Sequence, residues 1–396
     1  MRHIHPFPAR MAPSIALDKI NTLKSGQTIL DPMCGSGMVL AQASKQGLNS
    51  IGYDLDPLAR LISRVGATKV DEEKARRAMS RLIEKCQKTK TELKLDWIDG
   101  DPETLKFVRF WFDPLQEKQL RSLSKFLVVN PITTDAKILN LLKVVVSRLI
   151  ITKEPKASLA RDTAHSRPHR TITDNQFDIF EHLPGSLNHV LKALQASSIK
   201  QNAKTYLGDA RKLKRIKDGS IDAIITSPPY LNAIDYMRGH RLSLVWWGYS
   251  LSELRLIRSS SIGSERMRDF EPEEMFSGIA RRLEFCNVSK KHRRMLWRYF
   301  VDLQNQTSES ARVLKDRGTA LYVIGNSNIH GTHIRNSELL KEAAALANLE
   351  VISETTREIP NNRRYLPVTV NASNALASRM RSEHLIEFAR TRSNAV

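Results

Sequence analysis

Two prolines in succession, Pro228 and Pro229, constrain this chain more tightly than any other feature of its sequence. They follow Ser220-Ile221-Asp222-Ala223-Ile224-Ile225, a short apolar run that reads as a buried parallel strand. Neither proline can donate to a β-ladder, so the ladder must stop and the chain must continue as a stiff, extended corner. Open α/β sheets place their ligands at such carboxyl ends of strands. The corner Thr226-Ser227-Pro228-Pro229-Tyr230 presents a hydroxyl, carbonyl oxygens that no following amide ties up, and a flat aromatic ring. That set suits a planar base gripped by its exocyclic amino group. Taken alone, the same five residues also describe a strand ending in a proline turn.

A second site lies upstream. Gln27–Asp31 reads as a strand, Pro32-Met33-Cys34-Gly35-Ser36-Gly37 as a glycine-rich turn, and Met38–Gln46 as a helix. Strand, turn and helix open a nucleotide-binding βαβ unit, in which glycines let backbone amides approach a ligand at the positive end of the helix. Asn49–Asp54 then makes a second strand ending in an acid, seventeen residues after Gly37. A carboxylate at that tip commonly accepts hydrogen bonds from ribose hydroxyls. The dinucleotide fingerprint itself is absent, because Leu40 stands where its third glycine belongs.

The turn Asp31–Gly37 resembles the first motif of S-adenosylmethionine-dependent amino-methyltransferases, and Thr226–Tyr230 resembles their catalytic motif. The serine form, S-P-P-Y, is most similar to the cytosine-N4 DNA enzymes; the D-P-P-Y form is commoner among adenine-N6 enzymes. His5–Met11 resembles the segment that precedes the first motif in one branch and covers the cofactor. The resemblance spans about Met1–Thr68 and Thr205–Phe388, and Met33 departs from it where a phenylalanine is common. It implies a Rossmann-like α/β methyltransferase fold: a mixed seven-stranded sheet with helices on both faces and largely helical insertions. It also implies that Phe7, Pro8, Asp31, Pro32, Cys34, Gly35, Gly37, Asp54, Asp209 and Thr226 hold S-adenosylmethionine, with S-adenosylhomocysteine as product. Ser227, Pro228, Pro229 and Tyr230 would be catalytic.

Composition agrees with a nucleic-acid partner. The 396 residues carry 62 Lys and Arg against 42 acids, a formal charge of +20, which calls for a polyanion such as double-stranded DNA. Cations cluster at Arg211–Lys217 and Lys290–Arg298, and more loosely at Asn361–Tyr365 with Arg379 and Arg381; Trp297 and Tyr365 lie among them as candidate stacking groups. Three cysteines, Cys34, Cys86 and Cys286, lack metal or disulfide spacing, which points to a reducing, cytoplasmic setting, nucleoid-associated in a bacterium. None follows a proline, so the thiolate that cytosine-C5 methylation requires is missing. Neither a metal nor a membrane is expected; the most apolar stretch, Ile138–Ile151, contains Lys143 and Arg148 and reads as a buried helix.

The core divides along the chain. Residues 1–70 and 205–396 form the expected catalytic core, 71–204 a mainly helical insertion and candidate target-recognition region, and 251–298 a second helical insertion within the core and candidate DNA contact. In the first insertion, Asp71–Lys94, Leu115–Val129 and Ala136–Leu149 read as helices, Phe107–Phe112 as aromatic packing, and Ser158–Thr173 as an irregular loop. In the second, Ser259–Ser264 reads as a flexible break. Later strands are expected at Thr205–Asp209, Gly318–Ser327, Leu349–Ser353 and Glu383–Phe388. Exchange or deletion of 71–204 is expected to alter target choice and spare cofactor binding. The chemistry expected is direct methyl transfer to cytosine N4 in a flipped-out base; adenine N6, an RNA amino group and a catalytically silent binding module are the alternatives. Recognition sequence, oligomeric state and any companion restriction endonuclease stay open.

Overall fold

A computed structural model describes residues 3–7, 11–89, 93–162, 168–201, 203–231, 235–263, 274–283, 289–329, 332–359 and 382–391. Helix α1 (Pro13–Ile20) leads into β1 (Thr28–Asp31), α2 (Met38–Gln46), β2 (Asn49–Asp54) and α3 (Pro57–Gly66). Gly37 and Gly47 bracket α2 in left-handed conformations, while Asp56 caps α3 by accepting from the amides of Leu58 and Ala59. The first insertion comprises α4 (Glu72–Lys88), α5 (Asp96–Asp99), α6 (Pro102–Trp111), α7 (Pro114–Ser124) with a π-helical turn over Lys125–Val129, α8 (Ala136–Ile150), β3 (Ala160–Arg161), β4 (His169–Arg170) and α9 (Ile179–Ser197). The chain returns through β5 (Lys204–Leu207) and β6 (Ile221–Thr226), then α10 (Met237–Leu244), a 3-10 turn over Val245–Trp247, α11 (Leu251–Ser260), α12 (Glu274–Arg282) and α13 (Lys290–Val313). It closes with β7 (Leu314–Ile324), β8 (Ser327–Ile329), β9 (Thr332–Ile334), α14 (Asn336–Leu346), β10 (Leu349–Glu358) and β11 (Ser382–Arg390).

Seven strands form one sheet in the order β10-β11-β7-β6-β1-β2-β5. The contacts from β5 through β7 are parallel, whereas β11 runs antiparallel to both β7 and β10. From β1 the chain winds outward to β2 and β5, then returns to place β6 on the other side of β1. The carboxyl ends of β1 and β6 therefore flank the point where winding reverses, the place for a ligand crevice. This is the Rossmann-like methyltransferase fold, its late antiparallel strand included. At the opposite end of these strands, Asp222 on β6 accepts from the Thr28 amide at 2.9 Å and from Lys315 Nζ at 2.8 Å, fastening β1, β6 and β7 together.

Alternation along the strands sends side chains to two faces. Ile29, Ile225, Leu321 and Val323 pack with α1 and α2, while Leu30, Ile224, Ala320 and Tyr322 pack with α13 and α14. The first insertion does not form a core of its own. Its helices share one apolar cluster with α3 (Leu58, Ile62) and with α10 and the turn after it (Leu242, Trp246). Each large side chain buried there contributes about 1.5–3 kcal/mol.

Three local expectations change. The stretch Ser158–Thr173 is not wholly irregular: β3 and β4 form a short antiparallel ladder that pins its ends, and Ser158, Ala160 and Asp162 are buried. Ser259 and Ser260 belong to the last turn of α11, their hydroxyls bonded to the Leu256 carbonyl; Ser264 lies outside the described residues. Trp297 is buried on the apolar face of α13 beside Phe276 and Phe300, so it is not a surface stacking group among the cations. Cys286, Tyr365, Arg363, Arg379 and Arg381 lie outside the described residues. No described helix is long and apolar enough to cross a membrane.

Candidate active site

The glycine turn folds back on the tip of β2. Gly35 and Gly37 adopt left-handed φ angles of +47° and +76°. The Cys34 amide donates to the Tyr53 carbonyl at 2.8 Å, and the Gly37 amide to the Cys34 carbonyl at 2.7 Å. Asp54 then accepts the Gly35 amide through one carboxylate oxygen (2.8 Å) and the Asp56 amide through the other (2.9 Å). Each oxygen keeps a second lone pair for a ligand hydroxyl. The Gly37 position tolerates no side chain, since a Cβ would sit 2.7 Å from the Ser63 Cα on α3. Cys34 turns inward beside Leu40 and Ala67, where burial and the nearby Asp54 and Asp31 carboxylates push its thiol well above the ordinary range.

Asp31 ties this turn to the proline corner. Its Oδ1 accepts the Met33 amide at 3.2 Å and the Thr226 hydroxyl at 2.8 Å. Burial raises Asp31 to about 7, partly opposed by those two hydrogen bonds, and raises Asp54 to about 7 with help from the Asp56 charge. Two desolvated carboxylates thus stand at the tips of adjacent strands, with acceptor capacity to spare. A ligand bearing positive charge and vicinal hydroxyls fits such a donor-poor, acceptor-rich cradle.

Beyond Thr226 the corner is held from three sides. Ser227 Oγ donates to the Val323 carbonyl of β7 at 2.8 Å and lies 3.5 Å from the Tyr230 hydroxyl. Tyr299 of α13 donates its hydroxyl to the Pro229 carbonyl at 3.0 Å. Burial drives the Tyr230 phenol up to about 12, so it stays protonated. With its hydrogen committed to Val323, the Ser227 oxygen faces any incoming group with lone pairs alone. Among the described residues no donor occupies the Pro228 carbonyl oxygen.

The amino-terminal strap reaches the same crevice. Phe7 lies over the glycine turn, its ring edge 3.3 Å from where a Gly35 Cβ would stand. It stacks on Tyr236 (5.4 Å between centroids, 27° between planes) and leans on His240 (5.3 Å). Upstream, His5 Nε2 meets Ser147 Oγ of α8 at 2.8 Å, and that hydroxyl donates to Ser243 Oγ of α10 at 2.8 Å. Arg148 binds the Ile4 carbonyl (3.0 Å) and His189 the His3 carbonyl (3.0 Å). Pro8 lies outside the described residues.

Asp209 stands beside the tip of β2, because the Gly208 amide donates to the Asp54 carbonyl at 2.9 Å. Its carboxylate is already held by Arg211, through Nε at 2.9 Å and Nη2 at 2.6 Å. Arg211 also reaches Asp302 and the Ser260 carbonyl, so this cation of the first basic run is engaged internally. The buried Asp56–His240 pair beneath the strap was not legible in the sequence (2.5 Å). Burial works to raise the Asp56 pKa, yet His240 and the first amides of α3 hold it below the ordinary carboxylate range. Tyr299 and Val323 were likewise invisible, lying 70 and 96 residues from their partners in the corner. Among the described residues no group of three or more His, Cys, Asp or Glu could hold a metal ion.

No family model matches the chain. Curated relatives do. The Type II methyltransferase M.MvaI of Kocuria varians is 20% identical over 91% of this chain and 84% of its own length. The chain is similar to the Type II methyltransferases. M.BsoBI of Geobacillus stearothermophilus is 26% identical over 61% of the chain, and M.MjaII of Methanocaldococcus jannaschii 25% identical over 66%. The aligned region spans 51% and 64% of those two relatives' own lengths. A short stretch, 14% of the chain, is 40% identical to a tRNA (guanine(10)-N2)-dimethyltransferase of Methanothermobacter thermautotrophicus, over 17% of that protein. Among solved structures, a TehB-like SAM-dependent methyltransferase of Corynebacterium glutamicum superposes with a TM-score of 0.30 at 10% identity, over 96% of this chain and 87% of that one.

Proposed function

We propose that the chain is a DNA methyltransferase that transfers a methyl group from S-adenosylmethionine to the exocyclic N4 of cytosine. The observation that carries this reading is the bond from Thr226 to Asp31, which brings the glycine turn and the proline corner to one crevice. The similarity to Type II methyltransferases, a class that modifies DNA, and the +20 charge support duplex DNA as substrate.

The crevice fits the cofactor by its chemistry. Gly35 and Gly37 allow backbone approach, Asp54 offers acceptors to ribose hydroxyls, Asp31 and Thr226 line the path to the corner, and Phe7 covers the turn. Pro32 and the Cys34 backbone complete that turn, and Asp209 edges the far side. S-adenosylmethionine supplies an already activated methyl group, so the protein chiefly supplies alignment and electrostatic complementarity.

At the corner, Ser227 Oγ and the Pro228 carbonyl accept hydrogen bonds from the two amino hydrogens of the base, and one of those protons leaves to solvent as the nitrogen gains the methyl group. Those bonds draw the nitrogen toward a pyramidal geometry and return its lone pair from the ring. Tyr230 stacks on the base, while Pro229 and Tyr299 keep the bend rigid. Ser227 acts only as acceptor, because its own proton is given to Val323. A stacked base cannot reach the crevice, so the target must flip out, costing roughly a few kcal/mol.

Mass spectrometry of nucleosides from duplex DNA incubated with the protein and S-adenosylmethionine tests the reading. N4-methylcytosine is expected; N6-methyladenine in its place moves the acceptor, and methylated guanine in structured RNA without any DNA product overturns the DNA assignment.

A further inference from the structure

A group of arginines beside the crevice takes no part in the chemistry above. Asp235 precedes α10, Arg238 lies in its first turn and Arg241 in its last, and Arg258 comes from the last turn of α11. The Asp235 carboxylate is shared by Arg238 Nε at 3.1 Å and Arg258 Nη2 at 2.6 Å, and both cations remain nearly half exposed. Arg241 lies over the Phe107 ring of α6, 5.1 Å from its centroid, and its buried Nε has no hydrogen-bond partner among the described residues. Three guanidinium groups against one carboxylate leave two charges uncompensated. Burial, and after it the neighbouring Arg258 and Arg238, push the Arg241 pKa below its ordinary value, with Asp235 partly opposing them.

Resting on the DNA reading, we propose that Arg238, Arg241 and Arg258 form a phosphodiester clamp that grips the DNA backbone flanking the extruded base. Planar guanidinium forks match phosphate oxygens in pairs, and an anion between them relieves the repulsion that the free protein carries. Position supports the same ligand. Tyr236, which stacks on the cofactor-covering Phe7, starts α10, and Arg241 follows five residues later, about 7–8 Å along the helix axis. The clamp therefore stands within about one and a half helical turns of the strap that borders the crevice. Arg255 ties α11 to Glu103 of α6, so the walls of the clamp come from both the core and the first insertion.

The test is the salt dependence of binding to mixed-sequence duplex DNA, comparing the unaltered protein with the R238Q/R258Q double variant. Both side chains are partly exposed, so the fold should survive, and S-adenosylmethionine binding without DNA serves as the check on that. Loss of two phosphate contacts should flatten the slope of log affinity against log salt by about 1.8. K200Q, at the amino-terminal end of the strands, should leave the slope unchanged. An unchanged slope in the double variant, or equal flattening in K200Q, overturns the clamp; so does retention of DNA affinity with loss of binding to an acidic protein. A native protein that methylates no duplex DNA instead overturns the functional reading on which the clamp rests.

Discussion

Gly35 and Gly37 should fail in different ways when a methyl group is added. A Cβ on Gly37 meets the Ser63 backbone of α3 at 2.7 Å in a left-handed conformation, so Gly37→Ala should lower stability by about 2–4 kcal/mol, read as a shifted denaturation midpoint. At Gly35 the obstacle is the Phe7 ring at 3.3 Å, part of a movable strap. Gly35→Ala should cost only about 1–2 kcal/mol of fold but weaken S-adenosylmethionine binding out of proportion, measurable by calorimetry. Equal effects of the two substitutions would contradict the strap's role as cover. The carboxylates make a second residue-scale prediction. Asp31 and Asp54, both raised by burial to about 7, bind more protons in the folded than in the unfolded chain between roughly pH 4 and 7. Their contribution to stability therefore falls as pH rises through that window. A cationic ligand reverses the preference by favouring the ionised forms, so cofactor binding at pH 7 should release up to about one proton. Calorimetry in buffers of different ionisation enthalpy checks this; a heat independent of buffer would rule it out.

Ser147 is the element-scale counterpart. One hydroxyl on α8 joins the strap through His5 and α10 through Ser243. Ser147→Ala should cost about 1–3 kcal/mol of stability and also raise the cofactor dissociation constant, although Ser147 touches no ligand. A change in stability with cofactor affinity intact would reduce Ser147 to a packing residue. What the sequence disclosed follows the same division between local and distant. The elements α2 and β2 have the bounds expected, because glycines and an acidic tip mark them. Helix α4 starts at its Asp71 cap and stops at Lys88, six residues short of expectation. Helix α9, nineteen residues with Pro184 and Gly185 inside it, is not among the helices named from the sequence. The apolar face of α13, by contrast, was present in Leu296, Phe300 and Leu303, and its period places Trp297 inside. Pairings such as Ser227 with Val323 or Asp56 with His240 depend on strand order, which no local pattern encodes.

At the scale of the molecule, the helices between β2 and β5 cannot be treated as a detachable reader. They share one apolar cluster with α3 and α10, and they hold the strap at Ile4 and His5. Deleting residues 71–204 should therefore expose that cluster and abolish cofactor binding along with recognition, contrary to the expectation drawn from sequence. Native-like calorimetric binding of S-adenosylmethionine by the deleted protein would show the regions to be independent after all. Exchange of surface residues on these helices is the change that should alter sequence context alone.

The fastening of the strap also sets an order of events during synthesis. His5 is made 142 residues ahead of its partner on α8, and the helix that Ser147 joins to it comes later still. The nascent chain must carry the strap unanchored until α8 and α10 have been made, so the cover over the glycine turn settles after the turn itself. A chain that stops short of α8 has the glycine turn without its roof, so ligand capture beneath the strap should await the helices that hold it.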